Sequence, residues 1–553
     1  MPSYYSTPAI ILFSSIIGPN MTYTLAIWTL AVLVDVTAGL YFNSKRSMMI
    51  LSVLGVYAAW RVVYQLVLYP EYFTPFKHLP MPKGRAWLTG HEKGFFKERK
   101  WDVAGRLYRT MPNDGLIRWY TALSHEVLLV TSPQGLSEVM TQRVNDFDQT
   151  PVAKLQAERI TGKGIQFMNG DEHKMHRKYL TPIFTPGHIK ALIPVFWSKA
   201  VELVEEIEKS LASGNGDAVH ITSWSVRVAL DIIGLAGLGH DYDTLRNPEN
   251  EHKDLTQLYR LIMSNAPPLE FRLIGLLLDY VDSRILYYLP EARNMALGTA
   301  FEKLRKLASD TVDARQRDLT YKDHKDIISL TVRSGVMTKD AIISHVMTFH
   351  AAGHITTALS LDWTMYELGK RPELQRRLRE EIRSQLPGSK LHDVNASDIE
   401  ALPFLRAVCN ETLRLYPALP YTTRTAVRDT SILGTRVPMG TTIAWSADAV
   451  NRDEKLWGAD AGVWNPERWM GDSAREKTGG ATSNFAFLTF AAGPKNCIGQ
   501  HWARAELACL VAAMVGRFEI ELANPDTARH VDPVTALMSK EGVYAKLRVV
   551  PGW

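Results

Sequence analysis

Two regimes of hydrophobic patterning divide the chain. Near the N-terminus, residues 21–42 (MTYTLAIWTLAVLVDVTAGLYF) are apolar on every face, with Asp35 as the one charge. After NSKRS, residues 48–68 are again apolar except for Arg61. A membrane span needs roughly 20 apolar residues, and both stretches are long enough. A charge at mid-bilayer costs about 2.5–3.5 kcal/mol on insertion scales, so Asp35 and Arg61 leave one or two spans open, the second lying in the interface. A cleaved signal peptide fits less well, because MPSYYSTPAI carries no basic residue and the apolar run is too long. Residues 1–68 are therefore expected to be a retained membrane anchor, in contact with membrane lipid. Residues 69–85 hold four prolines between Pro70 and Pro82. Proline stops helices, so this stretch predicts a stiff hinge. Lys77, Lys83 and Arg85 place its side of the membrane in the cytosol.

From 86 to 553 the pattern becomes periodic, with no internal repeat and no long Gly/Ser linker. Residues 115–132 read as two strands around a turn. Helical periodicity follows at 188–213, 222–238, 339–369, 373–385 and 405–416, the last stopping before Pro417 as the pre-proline restriction requires. Residues 500–517 also read as a helix. Short strands are expected at 431–438 and 543–549. The expectation is one large domain, mostly α with small β-sheets.

Composition changes this little. The chain is 46% hydrophobic and 22% charged, as globular proteins are. The net charge of +5 is small and scattered, so no nucleic-acid partner is expected. The three cysteines, Cys409, Cys497 and Cys509, include no CxxC pair. That argues against a disulfide framework and a zinc–thiolate cluster, and for a reducing compartment.

Candidate chemistry begins at FAAGPKNCIG, residues 490–499. Cys497 stands just before a helical pattern, where backbone N–H groups and the helix dipole favour thiolate. Neighbouring glycines allow close approach to a flat partner. A buried structural cysteine is the alternative. The stretch resembles the F-x-x-G-x-x-x-C-x-G haem loop of the cytochromes P-450. The resemblance implies Cys497 as axial ligand to haem iron, with Phe490 beside the sulfur, Gly493 and Gly499 shaping the loop, and Lys495 near a haem propionate. Arginine is common in the family at that last position; lysine keeps the charge without the bidentate fork.

Three further stretches follow the family order. FHAAGHITTALS, 349–360, lies inside the long apolar helix, where Gly353 and the β-branched Ile355, Thr356 and Thr357 are poor helix formers. A local rule broken mid-helix marks either a site or a close helix contact. It resembles the oxygen-activating A-G-x-(acid)-T motif, which makes Thr356 the threonine that bonds a bound oxygen species or water, with Ala352 and Gly353 clearing space. Ile355 departs from the pattern: it stands where the family has an acid that relays protons. Either water, His354 or the substrate supplies that path, or the reaction depends less on the relay. ETLRLYP and NPERW resemble the E-x-x-R and P-E-R-x segments, implying a buried structural triad of Glu411, Arg414 and Arg468 rather than a solvated pair. GDEHKMHRKYL resembles the W-x-x-x-R helix, with His173 replacing tryptophan; His173, Arg177 and Arg424 would join Lys495 at the propionates.

The resemblance covers about Tyr69 to the end and implies a membrane-anchored haem-thiolate monooxygenase of the fungal type. It would face the cytosol from the endoplasmic reticulum and oxidise an apolar small molecule such as a polyketide or terpenoid. Electrons would come from NADPH through a separate cytochrome P-450 reductase, docking near Lys174, Arg177, Lys178 and Lys495. Substrate-facing segments are expected at 146–166, 349–357 and 536–543, with the apolar stretch 261–281 covering the pocket. Ile355 keeps a rearrangement or isomerisation without reductase open as an alternative; a non-enzymatic haem sensor is disfavoured by the presence of both motifs.

Overall fold

The computed structural model describes residues 44–91, 100–214, 218–249, 292–317, 326–386, 393–526 and 539–553. The expected span at 21–42, the pocket cover at 261–281 and residues 536–538 lie outside the described residues. The first described helix, α1 (Ser44–Val63), runs on through a π-helical segment, Tyr64–Phe73, that contains Pro70. Proline therefore does not stop it at 70, as the hinge reading had it. The wider turn carries the chain past the missing N–H, Thr74 N–H bonds back to Tyr69 O, and the helix ends before Pro75. Val56, Trp60 and Phe73 on this segment are left 55–72% exposed.

The rest of the described residues are helical with three small sheets. Strands β1 (Leu116–Tyr120), β2 (Glu126–Val130), β3 (Phe147–Asp148), β5 (Tyr421–Ala426) and β8 (Thr442–Ser446) form a five-stranded sheet in the order β1-β2-β8-β5-β3. Among the described residues only β2 and β8 run parallel. A second sheet pairs β4 (Val219–His220) with β10 (Tyr544–Val549) and β10 with β9 (Phe518–Leu522). Residues 431–438, read as one strand, are a hairpin: β6 (Thr430–Ile432) turns through Leu433 and Gly434, both at positive φ, into β7 (Thr435–Val437). That is the two-residue turn whose twist suits a hairpin.

The helices around the site are α2 (Gly170–Leu180), α3 (Pro186–Ala212), α4 (Ile221–Ile232, continuing as a π-helix through Leu238), α5 (Lys339–Gly369), α6 (Pro403–Leu415) and α7 (Gln500–Arg517). The 31-residue α5 spans about 46 Å at 1.5 Å per residue. Thr338 caps it, its hydroxyl accepting from Ala341 N–H. It packs on α4, α6 and α7. Among the described residues Ile221–Leu238 is the one helix apolar and long enough to cross a bilayer, yet 67% of it is buried inside the protein. It is a core helix.

Candidate haem site

Helix α5 is buried almost throughout from Ile342 to Leu368. The burial breaks at Ala351–Gly353 and Thr356, where Ala352 is exposed. Ala352 and Thr356 are four apart and share one face, so a strip of the core helix is left uncovered by protein. Thr356 Oγ1 donates to Ala352 O at 2.8 Å, which leaves its lone pairs to accept a bond from that strip. Gly353 points elsewhere. A Cβ there would meet Ile233 Cδ1 at 2.9 Å, so its missing side chain admits α4 rather than a ligand, correcting the expectation that it clears space. Ile355 and His354 are buried. Burial holds the His354 imidazole near pKa 4, and its Nδ1 lies 2.6 Å from His350 O. This argues against His354 as the substitute proton path.

The loop before α7 is built from backbone. Cys497 N–H donates to Phe490 O at 2.8 Å, and Ala491 and Gly493 take positive φ. A Cβ on Gly493 would sit 2.1 Å from Met140 O, so only glycine fits there. At Gly499 nothing but Cys497 Sγ comes within 4.0 Å of a Cβ position, and the Gly499 amide serves as a donor toward the thiol. Cys497 is the one accessible cysteine; Cys409 and Cys509 are buried. Its accessible thiol is nonetheless packed about by protein, so it faces inward. The Gly499 amide and Arg177 favour the thiolate as expected, but burial outweighs them and the thiol is pushed up. Phe490 is buried and carries the Arg504 guanidinium 5.1 Å from its ring centre.

Four expected propionate partners converge. Arg177 forks onto Asn496, donating to its backbone O and to Oδ1 at 2.7 Å each. Lys495 Nζ donates to Asn169 Oδ1 at 2.6 Å, and Arg424 Nη1 to Gln149 Oε1 at 3.0 Å. Each of these acceptors is neutral. Burial pushes Lys495 down to about 8 and Arg424 to about 10, with Asp148 pulling the other way in both cases. Burial and the charges of Lys495 and Arg177 hold His173 near 4, hence neutral. Asp148 is itself paired with Lys154 at 2.5 Å. The cluster is thus cation-rich and partly buried, which fits a dianion such as two propionates. With an inward thiol on one side and the open strip of α5 in the same core, the residues present fit haem. Lys174 and Lys178 are exposed, whereas Arg177 and Lys495 turn inward.

The triad is fully buried at Glu411 and Arg414. Arg414 Nε and Nη2 fork onto the Glu411 carboxylate at 2.8 and 2.7 Å, and its remaining N–H groups donate to Asn451 O, Ala461 O and Val463 O. Arg468 Nε reaches Glu411 Oε1 at 3.4 Å. Asn465 N–H and Trp469 Nε1 complete the carboxylate's shell. The sequence reasoning missed Asn451, which joins this network to the thiol loop: its side chain donates to Arg414 O and Thr489 Oγ1 and accepts from Leu488 N–H. No sequence signal marks it, because its partners lie 37 or more residues away.

The family model described as Cytochrome P450 matches residues 81–546. Cytochrome P450 monooxygenase FSL4 of Gibberella zeae is 44% identical over 521 residues, covering 90% of this chain and 92% of that protein. Cytochrome P450 monooxygenase sphH of Aspergillus fumigatus is 40% identical over 505 residues, covering 89% and 92%. Cytochrome P450 monooxygenase buaD of Petromyces alliaceus is 34% identical over 516 residues, covering 90% and 92%.

Proposed function

The chain belongs to the cytochrome P450 family and is a haem-thiolate monooxygenase, and on that premise we propose that it inserts one oxygen atom of O2 into an apolar small molecule by hydroxylation or epoxidation. The other oxygen atom leaves as water, using two electrons and two protons. NADPH supplies the electrons through a separate reductase that docks over Lys174 and Lys178. Haem bound through a cysteine thiolate supplies an oxidant able to attack unactivated C–H bonds. Cys497 would hold the iron, His173, Arg177, Arg424 and Lys495 would hold the propionates, and Phe490 would shield the sulfur. Thr356 accepts a hydrogen bond at the uncovered strip of α5 and orients water there. Glu411, Arg414 and Arg468 keep the thiol loop in place. The observation that carries this reading is the convergence of an inward, accessible thiol with a cation-rich cluster whose bound acceptors are neutral.

The exposed Val56, Trp60 and Phe73 support an N-terminal anchor, with the catalytic domain on the cytosolic side of the endoplasmic reticulum. The relatives are fungal monooxygenases, and the substrate of this reading is a secondary metabolite, polyketide or terpenoid. One observation favours a second reading: Ile355, buried where an acid would relay protons, suits a rearrangement that consumes no reductant. NADPH and O2 consumption with added reductase separates the two. Consumption coupled to oxygenated product supports the monooxygenase; turnover with neither supports rearrangement.

A further inference from the structure

Helix α7 carries a second acid that the site does not use. Glu506 is fully buried. Its Oε2 accepts from Trp502 Nε1 at 2.8 Å and from Thr357 Oγ1 at 3.2 Å, while Oε1 has no protein partner. No cation among the described residues pairs with it. The titratable groups packed near it are the buried thiols Cys509 and, beyond it, Cys409. We infer that Glu506 is a positioning residue that ties Thr357 of α5 to the helix extending from the Cys497 loop, and so fixes the turn that presents Thr356.

The turn needs such a tie. Gly353, Ile355, Thr356 and Thr357 are weak helix formers in succession, and three hydroxyls there bond back to carbonyls four residues earlier, Thr356 to Ala352, Thr357 to Gly353 and Ser360 to Thr356. Such back-bonding bends helices. Ile233 bears on the turn at Gly353, and Glu506 holds the same face one turn further on through Thr357. An ionised carboxylate without a counter-charge is costly in this setting, and burial pushes Glu506 up to about 8, against the Trp502 and Thr357 bonds. At neutral pH the acid carries a proton. The single Thr357 hydroxyl proton is shared between Gly353 O at 3.3 Å and Glu506 Oε2 at 3.2 Å, and Trp502 Nε1 also donates to Oε2, which leaves Oε1 to carry the acid's proton. Glutamine reproduces this arrangement, with an amide NH2 in place of the O–H.

The inference rests on reading Thr356 as oxygen-facing, and the test separates the two. Amide hydrogen exchange over residues 349–360 is measured on the holoenzyme, alongside the rate at which the reduced holoenzyme returns to ferric in air-saturated buffer. Glu506→Ala and Thr357→Val should each raise exchange in that segment about tenfold, with other segments unchanged, and speed reoxidation. Glu506→Gln should match wild type in both. Beyond the rise with pH that base-catalysed amide exchange shows in every segment, wild-type exchange in this segment should rise further as pH passes about 8, and Glu506→Gln should lose that further rise. Should Glu506→Ala fail to load haem, Thr357→Val decides. Unchanged exchange in Thr357→Val, or Glu506→Gln behaving like Glu506→Ala, would overturn the inference. Thr356→Ala is the control: faster reoxidation with unchanged exchange upholds the Thr356 reading independently, and unchanged reoxidation sinks that reading while exchange still judges the Glu506 tie.

Discussion

Replacing Arg414 with methionine tests the buried triad where its energetics are largest. The substitution keeps much of the side-chain volume and removes five hydrogen bonds: two to Glu411, and one each to Asn451 O, Ala461 O and Val463 O. The Glu411 carboxyl would remain with no exposure, served by Asn465 N–H, Trp469 Nε1 and a long bond from Arg468. Breaking one partner of a buried ion pair costs about 3–5 kcal/mol. Each buried carbonyl left without a donor adds about 1 kcal/mol or more. The expected loss is therefore at least about 5 kcal/mol, comparable to the whole stability of many domains, about 5–15 kcal/mol. The assay is a urea titration of purified holoprotein with haem content per chain. Arg414→Met should be largely haem-free or unfolded in dilute buffer. Arg414→Lys, which keeps the charge but not the fork, should fall between. A double variant, Glu411→Leu with Arg414→Met, should lose less than Arg414→Met alone, because no charge is stranded. Haem-loaded Arg414→Met within about 1 kcal/mol of wild type would refute the reasoning.

Three other expectations follow from local geometry. Gly493→Ala drives a Cβ against Met140 O at a backbone φ of +71°; haem binding should be lost in a chain whose far-ultraviolet circular dichroism is unchanged, and normal loading would contradict the packing. Burial raises Asp362 from 3.8 to about 7, with Thr222 donating against it. The folded state then binds more protons than the unfolded chain between those values, so stability falls as pH rises through that window; Asp362→Asn should flatten the fall in pH-dependent urea midpoints. Charge reversal at the exposed Lys174 and Lys178 should slow electron transfer from the reductase, more at low salt than at high, and an unchanged stopped-flow rate would sink the docking assignment.

The long helices were legible because their signals are local. Residues 339–369 were legible as one long, mostly apolar run, and α7 begins where the pattern after Cys497 predicts. The central strands β5 and β8 were not read, since their pairing joins residues about 20 apart and β8 also pairs with β2, more than 300 residues earlier. The Leu433–Gly434 turn was hidden by a non-glycine residue at positive φ. Pro70 misled because a π-helical turn absorbs it. In the site, Cys497, the cation cluster and the triad were all visible as motifs, while Asn451 and Glu506 were not, because each acts only through partners brought together by folding. Gly353 shows the converse: the motif was legible, but the side on which the missing Cβ matters depends on where α4 packs.

The central claim is that Cys497 is the iron ligand, and the carbon-monoxide difference spectrum of the reduced protein tests it most directly, wild type beside Cys497→Ala. A long-wavelength Soret band in wild type and none in the variant is the predicted result. A folded, haem-loaded wild type without that band, or a variant that keeps it, would contradict the account.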